Sequence, residues 1–171
     1  MNERPPCDPH ETAAWFAGRI PDAWFAGTLR VEVDRDEIIV IGTLAEPGGV
    51  EGDDALRVAA GARIEAFRED TRAARMKIAD AAQQRWRRVV SWGVTCGPVE
   101  EIFTNASVPV MTRLRFEDRR VLDTLIDAGV ARSRSEALAW CVKQVGLNQS
   151  DWMQRLRDAM TEVERIRAEG P

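Results

Sequence analysis

The sequence predicts an α+β fold made of a small N-terminal α+β part, a strand-helix-helix unit and a C-terminal amphipathic helix. Two observations support this. In the first half, segments that alternate apolar and polar residues flank a long stretch of helix formers. The second half carries helical apolar stripes with polar opposite faces. The predicted divisions are a flexible leader at 1–14, an N-terminal domain at 15–105, a second unit at 106–146 and a final helix at 147–171.

The strands of the N-terminal part are predicted from period and turn residues. Residues 29–33 alternate strictly, and residues 37–44 form a more apolar strand. The Asp-Arg-Asp sequence at 34–36 between them suits a tight turn, so a β-hairpin is predicted. Residues 89–95 form a further strand, which can join the hairpin in one sheet.

A long helix is predicted between the hairpin and this last strand. Residues 53–88 contain strong helix formers and only Gly61 as an interruption. Arg68, Arg72 and Arg75 recur at steps of three or four and therefore share one face of a single helix. That face is either solvated and paired with nearby carboxylates, the more common case, or a phosphate-contacting surface.

A short aromatic echo precedes the hairpin. Two aromatic residues stand ahead of Ala-Gly at 15–18, and the same four residues return at 24–27. Burial of these rings in a core is the favoured interpretation. The alternative is an exposed aromatic patch for a partner or a nucleic-acid base.

Composition excludes several classes of protein. Net charge is -4, but residues 1–60 carry -7, residues 61–90 carry +4 and residues 106–146 carry +2.

No apolar run is long enough for a membrane span, and the N-terminus has no secretion-signal pattern, so a cytoplasmic protein is expected. The three separated cysteines suggest free thiols rather than disulfides. One histidine and no phosphate loop or metal cluster argue against an enzyme, a metal site or a cofactor.

The most informative segment begins near Val108 and extends to about residue 146. Residues 110–116 alternate as a short strand, with Met111, Arg113 and Arg115 on one face. An amphipathic helix follows at 117–128 and ends at a glycine. Ser133 and Glu136 have capping-box spacing and begin a second helix.

Such a unit cannot bury both faces of its strand alone. About forty residues with one strand and two helices provide too little apolar cover. The expected solution is a homodimer in which two strands pair antiparallel over four helices. The outer face of that paired ribbon fits a DNA major groove.

These residues resemble the ribbon-helix-helix superfamily of the CopG and Arc repressor type. The resemblance rests on residues 113–116, on the first amphipathic helix, and above all on residues 129–138 with their Arg-Ser-Glu-Ala-Leu helix start. It covers about a quarter of the chain.

The resemblance implies a role for each matching position. Strand residues that read bases are Met111, Arg113 and Arg115. Residues at the helix N-terminus that contact DNA phosphate are Ser133, Arg134 and Ser135. Dimer-core residues are Leu114, Phe116, Leu125, Leu138 and Val142. An arginine side chain can donate two hydrogen bonds to guanine, which agrees with the base-reading assignment. The unpaired backbone N–H groups at a helix N-terminus can bind phosphate, which agrees with the second assignment.

Two functions therefore compete. The leading expectation is a dimeric regulator of transcription that binds double-stranded DNA through Arg113 and Arg115. The alternative is a protein-interaction module, or an antitoxin-like protein, in which the fold serves for dimerisation. The final helix has an apolar stripe from Trp152 to Ile166 that must be covered within the dimer or by a partner protein. In a regulator the N-terminal part would adjust affinity or recruit a partner, and in an interaction module it or the final helix would bind a protein.

Overall fold

The computed structural model describes residues 5–104 and 106–170 and confirms the α+β class. Its elements fall into two compact units, Met1–Pro109 and Val110–Pro171. Unit 1 contains α1 (Pro9–Ala17), β1 (Arg30–Val33), β2 (Glu37–Thr43), α2 (Asp53–Asp70), α3 (Arg72–Trp86), β3 (Val89–Cys96) and β4 (Val99–Ile102). Unit 2 contains α4 (Phe116–Asp127), α5 (Arg134–Asn148) and α6 (Ser150–Glu169).

The first helix begins earlier than the sequence analysis assumed. Residues 1–14 were assigned to a flexible leader, but residues 9–14 belong to α1, so that boundary is wrong. Asp8 caps the helix by accepting a hydrogen bond from the Glu11 N–H at 2.8 Å. Pro9 then occupies the first turn, where its missing N–H costs nothing. The remaining leader residues 1–4 lie outside the described residues.

Unit 1 is built on a four-stranded sheet in the order β1-β2-β3-β4. The predicted hairpin is confirmed, because β1 and β2 pair antiparallel and the Asp34 carboxylate accepts from the N–H groups of Asp36 and Glu37. Strand β3 joins parallel to β2, and β4 returns antiparallel on β3. Side chains of Ile38 and Val40 are fully buried in the core.

The parallel pair is connected by two helices, which corrects the prediction of one long helix. The chain breaks at Thr71, between α2 and α3. The Thr71 hydroxyl donates to the Phe67 carbonyl at 2.5 Å, and Arg75 donates to Thr71 Oγ1 and to the Arg68 carbonyl at 2.9 and 2.7 Å. Side-chain bonds of this kind compete with the helical ladder and bend the chain. Propensity alone does not reveal them, because every residue near the break is tolerated in a helix.

The aromatic echo belongs to the core, as the favoured interpretation predicted. Phe16 is fully buried and meets the Trp92 ring of β3 edge-on, with centroids 5.8 Å apart. From the second copy, Trp24 meets Phe67 of α2 edge-on at 5.6 Å. Edge-to-face rings at these separations attract one another beyond the effect of burial. The two copies therefore join the sheet to its covering helices.

Unit 2 has a small core. Its buried residues are Leu122, Ala131 and Ala137, and α6 contributes none. Residues 110–115 form no strand in the described chain, so that prediction is wrong for a single protomer. A β-ladder needs a second strand, and none of the described residues pairs with this segment. Helix α5 also runs past the predicted boundary at 146 to Asn148.

The close contact of Phe25 with Gly42 gives a stability test. A Cβ at Gly42 would lie 2.3 Å from the Phe25 ring, whereas nothing lies within 4 Å of a Cβ at Gly61 in α2. We expect Gly42→Ala to lower the free energy of unfolding by ~1–3 kcal/mol through overpacking. Gly61→Ala should raise it by ~0.5–1 kcal/mol through helix propensity. Urea denaturation followed by tryptophan fluorescence measures both, and equal effects would contradict the packing described.

Candidate nucleic-acid interface

The segment 110–115 presents the predicted base-reading side chains to solvent. Met111 is 95% exposed, and Arg113 and Arg115 are also exposed. Between them, Leu114 is half-buried against the cluster around Leu122. Leu114 is the one residue of this segment that packs on the cluster, because Val110, Thr112 and Phe116 of the predicted inner face are exposed as well. At Arg115 the backbone is extended, with φ -77° and ψ 174°.

Two side chains fix the end of this segment. Arg119 donates from Nη1 to the Leu114 carbonyl at 2.8 Å. The Asp118 carboxylate accepts from the Arg115 N–H at 3.3 Å and so caps the start of α4. Negative charge is favourable at a helix N-terminus, which explains an acidic residue so close to the two arginines. Glu117 lies 3.5 Å from Arg120, so its charge is also partly offset.

The start of α5 has the predicted cap. The Ser133 hydroxyl accepts from the Glu136 N–H at 3.2 Å, and the Glu136 carboxylate accepts from the Arg132 N–H at 2.8 Å. Within the described chain, the N–H groups of Arg134 and Ser135 donate to no acceptor. They remain available to an anion at the positive end of the helix.

The Arg134 side chain is already engaged. Its Nε and Nη2 donate to the two carboxylate oxygens of Asp123 at 2.7 and 2.8 Å. This forked pair lowers the pKa of Asp123 and raises the pKa of Arg134. It joins α4 to the first turn of α5 and holds the guanidinium in place. A phosphate at this helix start would therefore meet backbone N–H groups rather than a free arginine.

A shallow groove brings part of the two predicted sets together. Met111, Arg134 and Ser135 all line a cleft of about 320 Å³ between the extended segment and the two helices. Arg113, Arg115 and Ser133 are exposed but do not line it. The groove floor is apolar, with Leu122 and Leu138 among its residues. It lies beside the segment 110–115, which pairs with no strand among the described residues.

The predicted dimer-core residues divide into two groups. Leu114, Leu125 and Leu138 are half-buried around the small core of unit 2. Phe116 and Val142 are 62% and 66% exposed. An apolar surface of this kind is what a protomer shows when its partner is absent, but the same surface also suits another protein.

Two residues that shape this surface, Asp123 and Arg119, were not among the predicted site residues. Asp123 and Arg134 are eleven positions apart, and their ion pair depends on how α4 packs on α5. A local sequence pattern therefore does not predict it. Arg119 could have been found, because an arginine four residues after a helix cap can reach back to the preceding carbonyl. Among the described residues, no group of acidic, histidine or cysteine side chains is placed to hold a metal ion.

The described helices also contain no segment that combines the length and apolar character needed to cross a bilayer. The cysteines Cys7, Cys96 and Cys141 are free thiols.

Both units match models of known protein families. Residues 10–102 match the family model described as Rv1265-like protein, N-terminal domain, and residues 115–167 match the Mb1296 C-terminal domain. Similar proteins include "Uncharacterized protein Mb1296" of Mycobacterium bovis and "Uncharacterized protein Rv1265" of Mycobacterium tuberculosis. Each is 53% identical over 164 residues, which cover 96% of this chain and 72% of the relative. No solved structure gives a significant match. With both domains matched in order and this identity over nearly its whole length, the chain belongs to the Rv1265-like family.

Proposed function

We propose that this chain is a dimeric, sequence-specific DNA-binding protein that regulates transcription. The observation that carries the proposal is the exposed pair Arg113 and Arg115, which flanks the inward-facing Leu114 in an unpaired segment. That segment leads directly into a two-helix unit whose apolar surface is only partly covered. The proposal includes a location in the cytoplasm, with the chromosome, and no catalytic activity.

The proposed dimer is supported by the backbone groups and the apolar surface that the single protomer leaves unpaired. The backbone N–H groups of residues 110–114 donate to no acceptor in the described chain. Pairing with the same segment of a second copy would satisfy them and form a two-stranded ribbon. The same pairing would bring Phe116 and Val142 toward the partner and out of water. A two-fold axis makes the two surfaces self-complementary.

The ribbon would present four arginines on one face, two from each protomer. A DNA major groove accommodates a two-stranded ribbon, and an arginine side chain donates two hydrogen bonds to the O6 and N7 atoms of guanine. The free N–H groups of Arg134 and Ser135 would bind flanking phosphates and fix the register. Because a dimer presents two equal halves, the DNA site should be close to palindromic.

A protein-interaction module is the second candidate, and α6 is the observation that favours it. This helix has no buried residue, and its apolar side chains are exposed at Trp152, Leu156, Met160, Val163 and Ile166. An amphipathic helix with an uncovered stripe suits the groove of a partner protein. The acidic charge of residues 1–60 also opposes general attraction to nucleic acid.

The dimer is tested at Val142. Because this side chain is exposed in the single protomer, Val142→Glu should leave the protomer folded and place a carboxylate in the dimer core. We expect the variant to sediment as a monomer at concentrations where the wild-type protein is a dimer. The matched control is Val58→Glu in unit 1, where the valine is 74% exposed. A wild-type protein that is monomeric at all concentrations would exclude the ribbon.

DNA binding is tested with Arg113→Ala/Arg115→Ala. Selection from genomic fragments should recover a bound site, and affinity for it should fall with salt. Each guanine contact contributes ~1–3 kcal/mol, so the double variant should lose at least ~100-fold in affinity. Its circular dichroism should not change, because both side chains are exposed.

The control for this experiment is Arg155→Ala/Arg167→Ala, which removes the same charge from exposed positions of α6. If the control loses as much affinity as the test variant, binding depends on net charge and not on the ribbon. A wild-type protein with no salt-dependent affinity for any fragment would favour the interaction module.

A further inference from the structure

Unit 1 contains an arginine-lined cleft that the proposed function does not use. It measures about 530 Å³ and lies at the break between α2 and α3, beside the end of β4. Its lining residues are Glu65, Arg68, Glu69, Arg72, Arg75, Met76, Phe103 and Thr104. The two buried members, Arg75 and Phe103, form its floor, and the others are exposed.

Arg75 is the residue that singles out this cleft. Only 7% of it is exposed, and its guanidinium lies over the Phe103 ring at 4.8 Å. It donates to Thr71 Oγ1 and to the Arg68 carbonyl, both of them neutral acceptors. No carboxylate of the described residues lies within 4.0 Å of it. A buried guanidinium is normally paired with an anion. The charge of Arg75 has no such partner among the described residues.

Two further arginines add positive charge at the same place. Arg68 lies 5.6 Å from the Phe103 ring centroid and 3.5 Å from Glu101, and Arg72 is exposed without a hydrogen-bond or ion-pair partner in the described chain. Burial lowers the pKa of Arg75, and repulsion from Arg68 and Arg72 lowers it further. An anion bound among the three arginines would give Arg75 the charged partner that it lacks. It would also offset the repulsion of Arg75 by Arg68 and Arg72.

We propose that this cleft binds the phosphate group of a small molecule, with Arg75 as the buried anchor and Arg68 and Arg72 as flanking contacts. Arginine matches phosphate through forked, charge-assisted hydrogen bonds. Phosphate is preferred over a carboxylate because its oxygens point in several directions and can accept hydrogen bonds from more than one guanidinium at once. The site adds ligand binding to unit 1 and does not depend on DNA binding by unit 2.

A small ligand fits better than a nucleic-acid backbone. Glu65 and Glu69 line the same cleft and are exposed at its edge. They would repel the successive phosphates of a polyanion but leave room for one phosphate at the floor. A buried Arg75 is also reached more easily by a compact group than by a duplex surface.

Calorimetry on the full chain tests the site with inorganic phosphate as the probe, at constant ionic strength. The wild-type protein should bind phosphate saturably and more tightly than acetate. Arg72→Glu should weaken phosphate binding at least ~10-fold, because it replaces a charge-assisted contact by a repulsive one. Arg57→Glu is the matched control, since Arg57 is exposed on α2 and outside the cleft. It should change affinity by no more than ~2-fold.

Arg72 is the variant of choice because substitution of Arg75 also removes the bonds that hold the α2–α3 break. A second measurement reports on Arg75 in the wild-type protein, whose side-chain Nε–H signal in nuclear magnetic resonance should shift on phosphate addition. The absence of saturable binding, equal affinities in the two glutamate variants, or equal binding of acetate would overturn the proposal. So would a loss of duplex DNA binding specific to Arg72→Glu, which would assign the cleft to nucleic acid.

Discussion

The parallel pairing of β2 with β3 is the constraint on which unit 1 depends. Parallel strands cannot be joined by a tight turn, so the chain must leave the sheet and return along one face. Helices α2 and α3 make that crossing, and the break at Thr71 divides it in two. Arg75 holds the break by bonding across it, and the aromatic rings from α1 and the following loop fill the space beneath. The arginine-lined cleft is a direct consequence, because the bonds that bend the chain also draw a guanidinium into the interior.

Unit 2 differs from unit 1 because it buries few of its apolar side chains. Three small or medium side chains are buried, while large apolar ones such as Phe116 and Val142 remain in water. The segment before α4 is extended at its end and offers unpaired backbone groups. In the proposed dimer, a second chain would supply both a strand and an apolar surface. Dimerisation and ribbon formation are therefore one event in the proposed function, and DNA contact depends on it.

The accuracy of sequence reasoning varied with the range of the interactions involved. The hairpin at Asp34 and the cap at Ser133 were predicted correctly, because their hydrogen bonds join residues at most three apart. The single helix over 53–88 was wrong, because the bond from Arg75 to the Arg68 carbonyl works against good helix propensity. The strand at 110–116 was wrong, because no second strand pairs with this segment among the described residues. The roles of Arg113 and Arg115 remain predictions, since nothing in a lone protomer shows what they contact.

By itself, the sequence determined the α+β class, the hairpin, the capped start of α5 and the placement of the aromatic echo in a core. The first three depend on periodicity or on contacts between near neighbours, which a linear pattern records, and the burial of the echo follows from the apolar character of its rings. Only the tertiary structure decided that β3 lies parallel to β2, that Arg134 is paired with Asp123, and that Arg75 is buried with no carboxylate of the described residues beside it. These outcomes depend on which distant segments meet and on the free energy of desolvating charge where they do, and neither is encoded in local order.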